Sequence, residues 1–136
     1  MKVLVDTSVW SLALRRDRPT EERLIKVLGE LIDEQRVIMI GPIRQELLSG
    51  IRDSKQFERL KQHLSAFPDL SLTQADFETA AEFYNRCRAK GIQGSNTDFL
   101  ICAVAVNYQL AILTTDTDFT HFSAQIPVQL LSVSSL

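Results

Sequence analysis

The sequence predicts an α/β fold: a three-layer α/β/α sandwich around a central, mainly parallel five-stranded sheet. Three observations lead there. Short, continuous apolar runs such as Val3-Leu4-Val5, Val37-Ile38-Met39-Ile40 and Ala111-Ile112-Leu113 alternate with longer segments of helical spacing, the pattern of parallel strands covered on both faces. The first and the third of these runs lead into aspartates, Asp6 and Asp116. A segment from Asp98 to Val106 is apolar almost all round, as a helix at the centre of a molecule must be.

In chain order, Val3 to Val5 form the first strand, and Thr7 and Ser8 after Asp6 are natural helix caps. A short helix follows from Ser8 to Leu14, with Val9, Leu12 and Ala13 on its apolar side. Asp17-Arg18-Pro19-Thr20 reads as a turn whose Thr20 caps a second helix. There Leu24, Val27, Leu28, Leu31 and Ile32 recur at helical intervals to about Glu34. Residues 37–40 are the second strand. Gly41-Pro42 breaks it and opens a helix carrying Ile43, Leu47 and Ile51. A polar helical segment places Phe57, Leu60, Leu64 and Phe67 on one side, and Pro68-Asp69 ends it. Leu70-Ser71-Leu72 is the expected third strand. A long helix then runs from Gln74 to Lys90 with Phe77, Ala80, Ala81 and Tyr84 inward, and Gly91 fits the left-handed position past its end. After the loop 91–95, Asn96 or Thr97 caps the central helix, and residues 111–113 and 128–131 are the fourth and fifth strands.

With 136 residues, 45% hydrophobic and 24% charged, the chain suits one domain over residues 1–136 with a sizeable core. No apolar run approaches the ~18 residues of a membrane span. No basic segment followed by an apolar signal region opens the chain, so a cytoplasmic location without membrane contact is expected. Cys87 and Cys102 lie in helical patterns without a CxxC partner, which reads as two reduced thiols. The net charge of −2 announces no bulk nucleic-acid binder, although a field can be local. Between Arg44 and Lys61, five basic residues (Arg44, Arg52, Lys55, Arg59, Lys61) face three acidic ones (Glu46, Asp53, Glu58).

Parallel strands bring their C-terminal ends to one edge, where open α/β sheets bind ligands. Asp6 and Asp116 follow strands there. Glu46 lies one turn into the helix after the second strand, and Asp98 sits in the first turn of the central helix. A helix start favours a carboxylate by roughly 0.3–1 kcal/mol. Two like charges about 4 Å apart repel by about 4 kcal/mol at an effective dielectric near 20, so caps alone cannot hold the four together. A divalent cation can, and an all-oxygen set selects Mg²⁺, or Mn²⁺ in its place. Zinc does not suit a chain whose His63 and His121 stand isolated. Taken singly, each acid is also explained as a cap or turn former.

These motifs resemble the PIN-domain family, specifically VapC-type toxins of toxin–antitoxin pairs. The opening V-L-V-D-T-S, the central G-P-I-R-Q-E-L-L-S-G, then T-D-F-L-I-C-A-V-A and I-L-T-T-D-T-D-F come in family order and cover nearly the whole chain. The resemblance implies Asp6, Glu46, Asp98 and Asp116 as an acidic metal-binding quartet. It implies Thr7 or Ser8, and Thr114 or Thr115, as supporting hydroxyls, with Asp118 as the rival to Asp116. It further implies a Mg²⁺-dependent endoribonuclease acting on tRNA or another structured RNA, and a homodimer. A VapB-like antitoxin would inhibit it and would supply the only link to DNA. Arg44, Arg52, Lys55 and Arg59, with Arg15 and Arg16 as a second set, are candidates to guide the RNA backbone. Trp10 and Phe119 are expected in the core rather than stacked on bases. The chain lacks the second aspartate of a haloacid-dehalogenase phosphatase (Ser8 stands there), the Walker lysine and a GxSxG elbow. The alternative is a PIN-like RNA- or protein-binding module without catalysis.

Overall fold

The computed structural model describes residues 1–14 and 22–133. The expected turn at Asp17 to Thr20, the cap at Thr20, and Arg15 and Arg16 lie outside the described residues. Four parallel strands, β1 (Val3–Val5), β2 (Val37–Ile38), β3 (Ala111–Leu113) and β4 (Gln129–Leu130), form a sheet in the order β2-β1-β3-β4. Around them run α1 (Thr7–Leu14), α2 (Glu22–Asp33), α3 (Gly41–Leu48), α4 (Ser54–Leu64), α5 (Gln74–Ala89), α6 (Asn96–Asn107) and α7 (Asp118–Ser123).

That order decides where a ligand can sit. From β1 the chain crosses to one side of the sheet, to β2, and from there it returns past β1 to β3. Right-handed crossovers in opposite directions place their helices on opposite faces, which gives the three layers. The connections diverge between β1 and β3, and an open sheet has its crevice at such a divergence, at the strands' C-terminal ends. Val5 pairs with Leu113 there, so the next residues, Asp6 and Thr114, come side by side. The strands are short, and α6 carries much of the core. Its residues Phe99 to Ala105 are all buried, as its all-round apolar sequence requires.

Three expectations need correction. Among the described residues the sheet has four strands, not five. The segment expected as a strand at 70–72 forms no ladder: the chain there pairs through a single parallel bridge, Met39 with Asp69, where Leu70 N–H donates to Met39 O at 2.9 Å. Just beyond, the Asp76 carboxylate takes the Thr73 N–H at 2.9 Å and turns the chain into α5 before a ladder can extend. The inward face of α5 is also rotated. Asp76, Ala80, Phe83 and Cys87 are buried, whereas Phe77 is 54% exposed and Ala81 is exposed as well. Phe77, Ala81 and Tyr84 instead line an open groove of about 540 Å³ with Pro42 and Leu100. Ile51, expected on the helix after Gly41-Pro42, lies beyond the end of α3. Several other expectations agree with the structure: Trp10 and Phe119 are buried, both thiols are free and buried, and Gly91 is left-handed with φ +75°.

Candidate active site

Asp6 is the first residue past β1 and is 6% exposed. Its backbone N–H donates to Leu113 O at 2.9 Å, and its carbonyl accepts from Val9 and Trp10 at the start of α1. The side chain is held as firmly. Ser8 Oγ donates to Asp6 Oδ2 at 2.8 Å, and Thr114 Oγ1 donates to the same oxygen at 2.7 Å. Both hydroxyls are themselves oriented. Thr115 N–H donates to Ser8 Oγ at 3.1 Å, and Asp116 N–H donates to Thr114 Oγ1 at 3.0 Å. The turn after β3 is thereby tied to the carboxylate after β1.

The other acids reach this point from three elements. Glu46, exposed on α3, accepts from Thr7 Oγ1 at 2.9 Å through Oε1. Asp98 stands in the first turn of α6, where Ser95 N–H donates to its Oδ2 at 3.1 Å and Ser95 Oγ accepts from Asp98 N–H at 3.1 Å. That reciprocal capping box makes Ser95 the cap, not Asn96 or Thr97 as the sequence suggested. The S-x-x-D spacing was the signal for it. Burial pushes the Asp98 carboxyl above its usual range, and the charges of Asp6 and Asp116 push the same way, against the hydrogen bonds from Ser95. Asp116 is half-buried and Asp118 exposed. Asp118 N–H donates to Asp116 Oδ1 at 2.9 Å, so Asp118 supports the turn through its backbone.

The quartet is a set of neighbouring but separate carboxylates. Among the described residues, no three acidic, histidine or cysteine side chains stand close enough to share one ion as placed. Repulsion of about 4 kcal/mol per close pair opposes any tighter approach of bare charges. The donor chemistry nonetheless suits a hard cation: every side-chain donor is oxygen, and each carboxylate keeps one oxygen clear of the hydrogen bonds just described. Cys102 offers no alternative nucleophile, because burial first and then the Asp98 charge push its thiol well up.

A family model described as PIN domain matches residues 3–125. This chain belongs to the PIN-domain family. Two relatives place the PIN domain in the VapC branch. Ribonuclease VapC11 of Mycobacterium tuberculosis and VapC ribonuclease Mb1587 of Mycobacterium bovis are each 32% identical to it over 121 residues, covering 86% of this chain and 88% of theirs. Among solved structures, a chain of FitAcB from Neisseria gonorrhoeae superposes with a TM-score of 0.78 at 23% identity, covering 98% of this chain and 99% of that one. A chain of VapBC2 from Rickettsia felis, bound to a DNA fragment from their promoter, gives 0.77 at 18% identity over 97% and 98%. At those identities the likeness speaks for the fold.

The candidate RNA-guiding residues of the PIN domain divide. Arg44 is engaged internally: its Nε pairs with Asp69 Oδ1 at 3.0 Å, and its other nitrogens donate to Leu64 O and Phe67 O. It pins the end of α4 to α3, so its guanidinium is engaged within the fold. Arg52, Lys55 and Arg59 are exposed. Lys55 and Arg59, four residues apart, share one face of α4. No helix among the described residues is long and apolar enough to cross a membrane.

Proposed function

We propose that this PIN domain, taken as one unit over residues 1–136, is the toxin of a toxin–antitoxin pair. In this reading it is a metal-dependent endoribonuclease acting in the cytoplasm on tRNA or another structured RNA. The observation that carries this is that Asp6, Asp98 and Asp116, though separate carboxylates as placed, lie near enough at the divergence of β1 and β3 for the charges of Asp6 and Asp116 to act on Asp98. The ribonuclease names of the mycobacterial relatives point to the same chemistry.

Asp6, Asp98 and Asp116 would hold Mg²⁺, or Mn²⁺ in its place, as one ion or two. Asp116 is preferred over Asp118 because it is nearer the strand end and coupled to Asp98. When bound, such an ion supplies an acidified water and neutralises charge that develops on the phosphodiester. Glu46, oriented by Thr7, would serve as a further ligand or as a base that directs the water. Ser8 and Thr114 hold the Asp6 carboxylate, and the Thr115 backbone holds Ser8. Arg52, Lys55 and Arg59 would lead the RNA backbone past a pocket whose own charge repels phosphate. The groove with exposed Phe77 and half-buried Tyr84 offers an apolar face for a second copy. An antitoxin covering the acidic edge would reach DNA on the pair's behalf.

The test is cleavage of total RNA by the purified protein with Mg²⁺ and with EDTA, beside Asp6→Asn and Asp98→Asn. Cleavage should need the ion and fall about a hundredfold or more in both variants, since even outer-shell changes at metal sites cost 10–100-fold. Mapping the new 5′ ends identifies the substrate. Undiminished cleavage by folded Asp98→Asn would sink the assignment. RNA binding without cleavage under any metal condition would favour a non-catalytic module.

A further inference from the structure

We infer that Ser8 and Thr114 are positioning residues that leave Asp6 a single oxygen for a cation, and that they thereby tilt the site toward Mg²⁺ over Ca²⁺. This rests on the metal reading above and adds to it a selectivity that belongs to these two hydroxyls.

A serine or threonine hydroxyl has one hydrogen and two lone pairs. Ser8 Oγ accepts from Thr115 N–H and Thr114 Oγ1 accepts from Asp116 N–H, so a backbone donor takes up one lone pair of each. The single hydrogen of each then points at Asp6 Oδ2, at 2.8 and 2.7 Å. The 3.4 Å approach of Ser8 Oγ to Thr114 Oγ1 is therefore a side-by-side contact, because neither hydroxyl has a second hydrogen to give. Oδ2 receives two hydrogen bonds, and both its lone pairs are engaged. Among the described residues, Oδ1 accepts from no protein donor.

The same division recurs at the other acids in weaker form. Glu46 Oε1, Asp98 Oδ2 and Asp116 Oδ1 each accept one hydrogen bond, while among the described residues the second oxygen takes none. Asp6 is distinct in being buried and doubly held, so its carboxylate cannot swing to offer both oxygens without breaking two bonds. Calcium takes six to eight oxygens in flexible geometry and readily uses a carboxylate through both. Magnesium is smaller, wants six ligands in near-octahedral order, and takes one or two carboxylates plus waters. A carboxylate confined to one oxygen suits the second ion and handicaps the first.

Calorimetric titration of the intact protein with MgCl₂ and separately with CaCl₂ tests this, for the wild type, Ser8→Ala, Thr114→Ser, Thr114→Val and the Ser8→Ala/Thr114→Val pair. Circular dichroism checks that each is folded. The wild type and Thr114→Ser should bind Mg²⁺ more tightly than Ca²⁺. Thr114→Val and the pair should shift the ratio of the two dissociation constants toward calcium by roughly tenfold, the scale on which outer-shell partners act. A merely structural role weakens both ions alike and leaves the ratio in place. If the pair does not fold, Ser8→Ala and Thr114→Val carry the comparison singly. An unchanged ratio in a folded variant overturns the positioning role and leaves metal binding standing. A wild type that binds neither ion overturns both.

Discussion

At Asp98 three effects compete within one carboxylate. Burial and the charges of Asp6 and Asp116 raise its pKa, while the bonds from Ser95 lower it, and the raising effects win. A carboxyl whose folded pKa lies above its unfolded value is a net cost once ionised, because the folded state then binds the proton more readily than the unfolded one. Without a cation, Asp98→Asn should therefore melt at a higher temperature than the wild type near pH 7. The gap should close as the pH falls below the ordinary carboxylate value of 3.8. Thermal melts at pH 7 and pH 3 in EDTA measure it, and a variant less stable at pH 7 would mean that the cap outweighs the crowding. The four acids stand out as candidates in the sequence because Asp6 and Asp116 follow strands, Asp98 opens a helix and Glu46 lies one turn into another, positions readable from local pattern. Ser95 was missed because Asn96 and Thr97 beside it are equally good caps on composition. The internal partners of Arg44 were not legible, because nothing local says that residues 20 and more positions on will place two carbonyls and Asp69 around it.

Among the helices, α5 and α6 are fastened together by Asp76. This buried carboxylate accepts from Thr73 N–H at 2.9 Å, from Asn107 Nδ2 at 2.9 Å and from Tyr108 Oη at 2.9 Å. The start of α5 is thus joined to the end of α6, the helix that carries Asp98. Burial alone would raise the Asp76 pKa, but Asn107, the Thr73 backbone and Tyr108 together bring it below the ordinary value. For a lowered carboxylate, the stabilisation is present above the unfolded pKa and is lost as pH falls through the folded one. Asp76→Ala should cost about 1–3 kcal/mol near neutrality, the penalty for leaving buried polar partners unpaired. The difference should shrink below about pH 4, where the unfolded chain takes up its protons. Urea unfolding at pH 7 and pH 3 tests both statements, and a loss that stays constant with pH would contradict the charge-based account. Helix positions were readable from apolar spacing, but the inward face of α5 was not. Phe77, Ala81 and Tyr84 keep the same period as Ala80, Phe83 and Cys87, one step round the helix, and only the partner helix decides between the two stripes. Strands of two or three residues carry too little pattern to separate a true strand from the single bridge at Asp69.

For the whole molecule, a net charge of −2 leaves RNA binding to local fields. Lys55→Glu and Arg59→Glu should weaken RNA binding at low salt. Each should reduce the slope of log K against log salt by about 0.7 for every single-strand phosphate that the side chain no longer neutralises. Filter binding across a salt series measures this, and an unaltered slope would remove α4 from the RNA path. The α/β class and the shared edge were legible from the alternation of runs. The strand order was not, since it rests on pairing between segments about a hundred residues apart. The chain's single tryptophan sits one helical turn past Asp6, its backbone N–H donating to Asp6 O at 3.3 Å. Its ring lies edge-on to Phe67, with centroids 5.1 Å apart. Tryptophan fluorescence will consequently come from one chromophore between the first helix and the 65–69 loop. Its emission wavelength can follow the seating of that helix in real time, without a dye or an engineered probe.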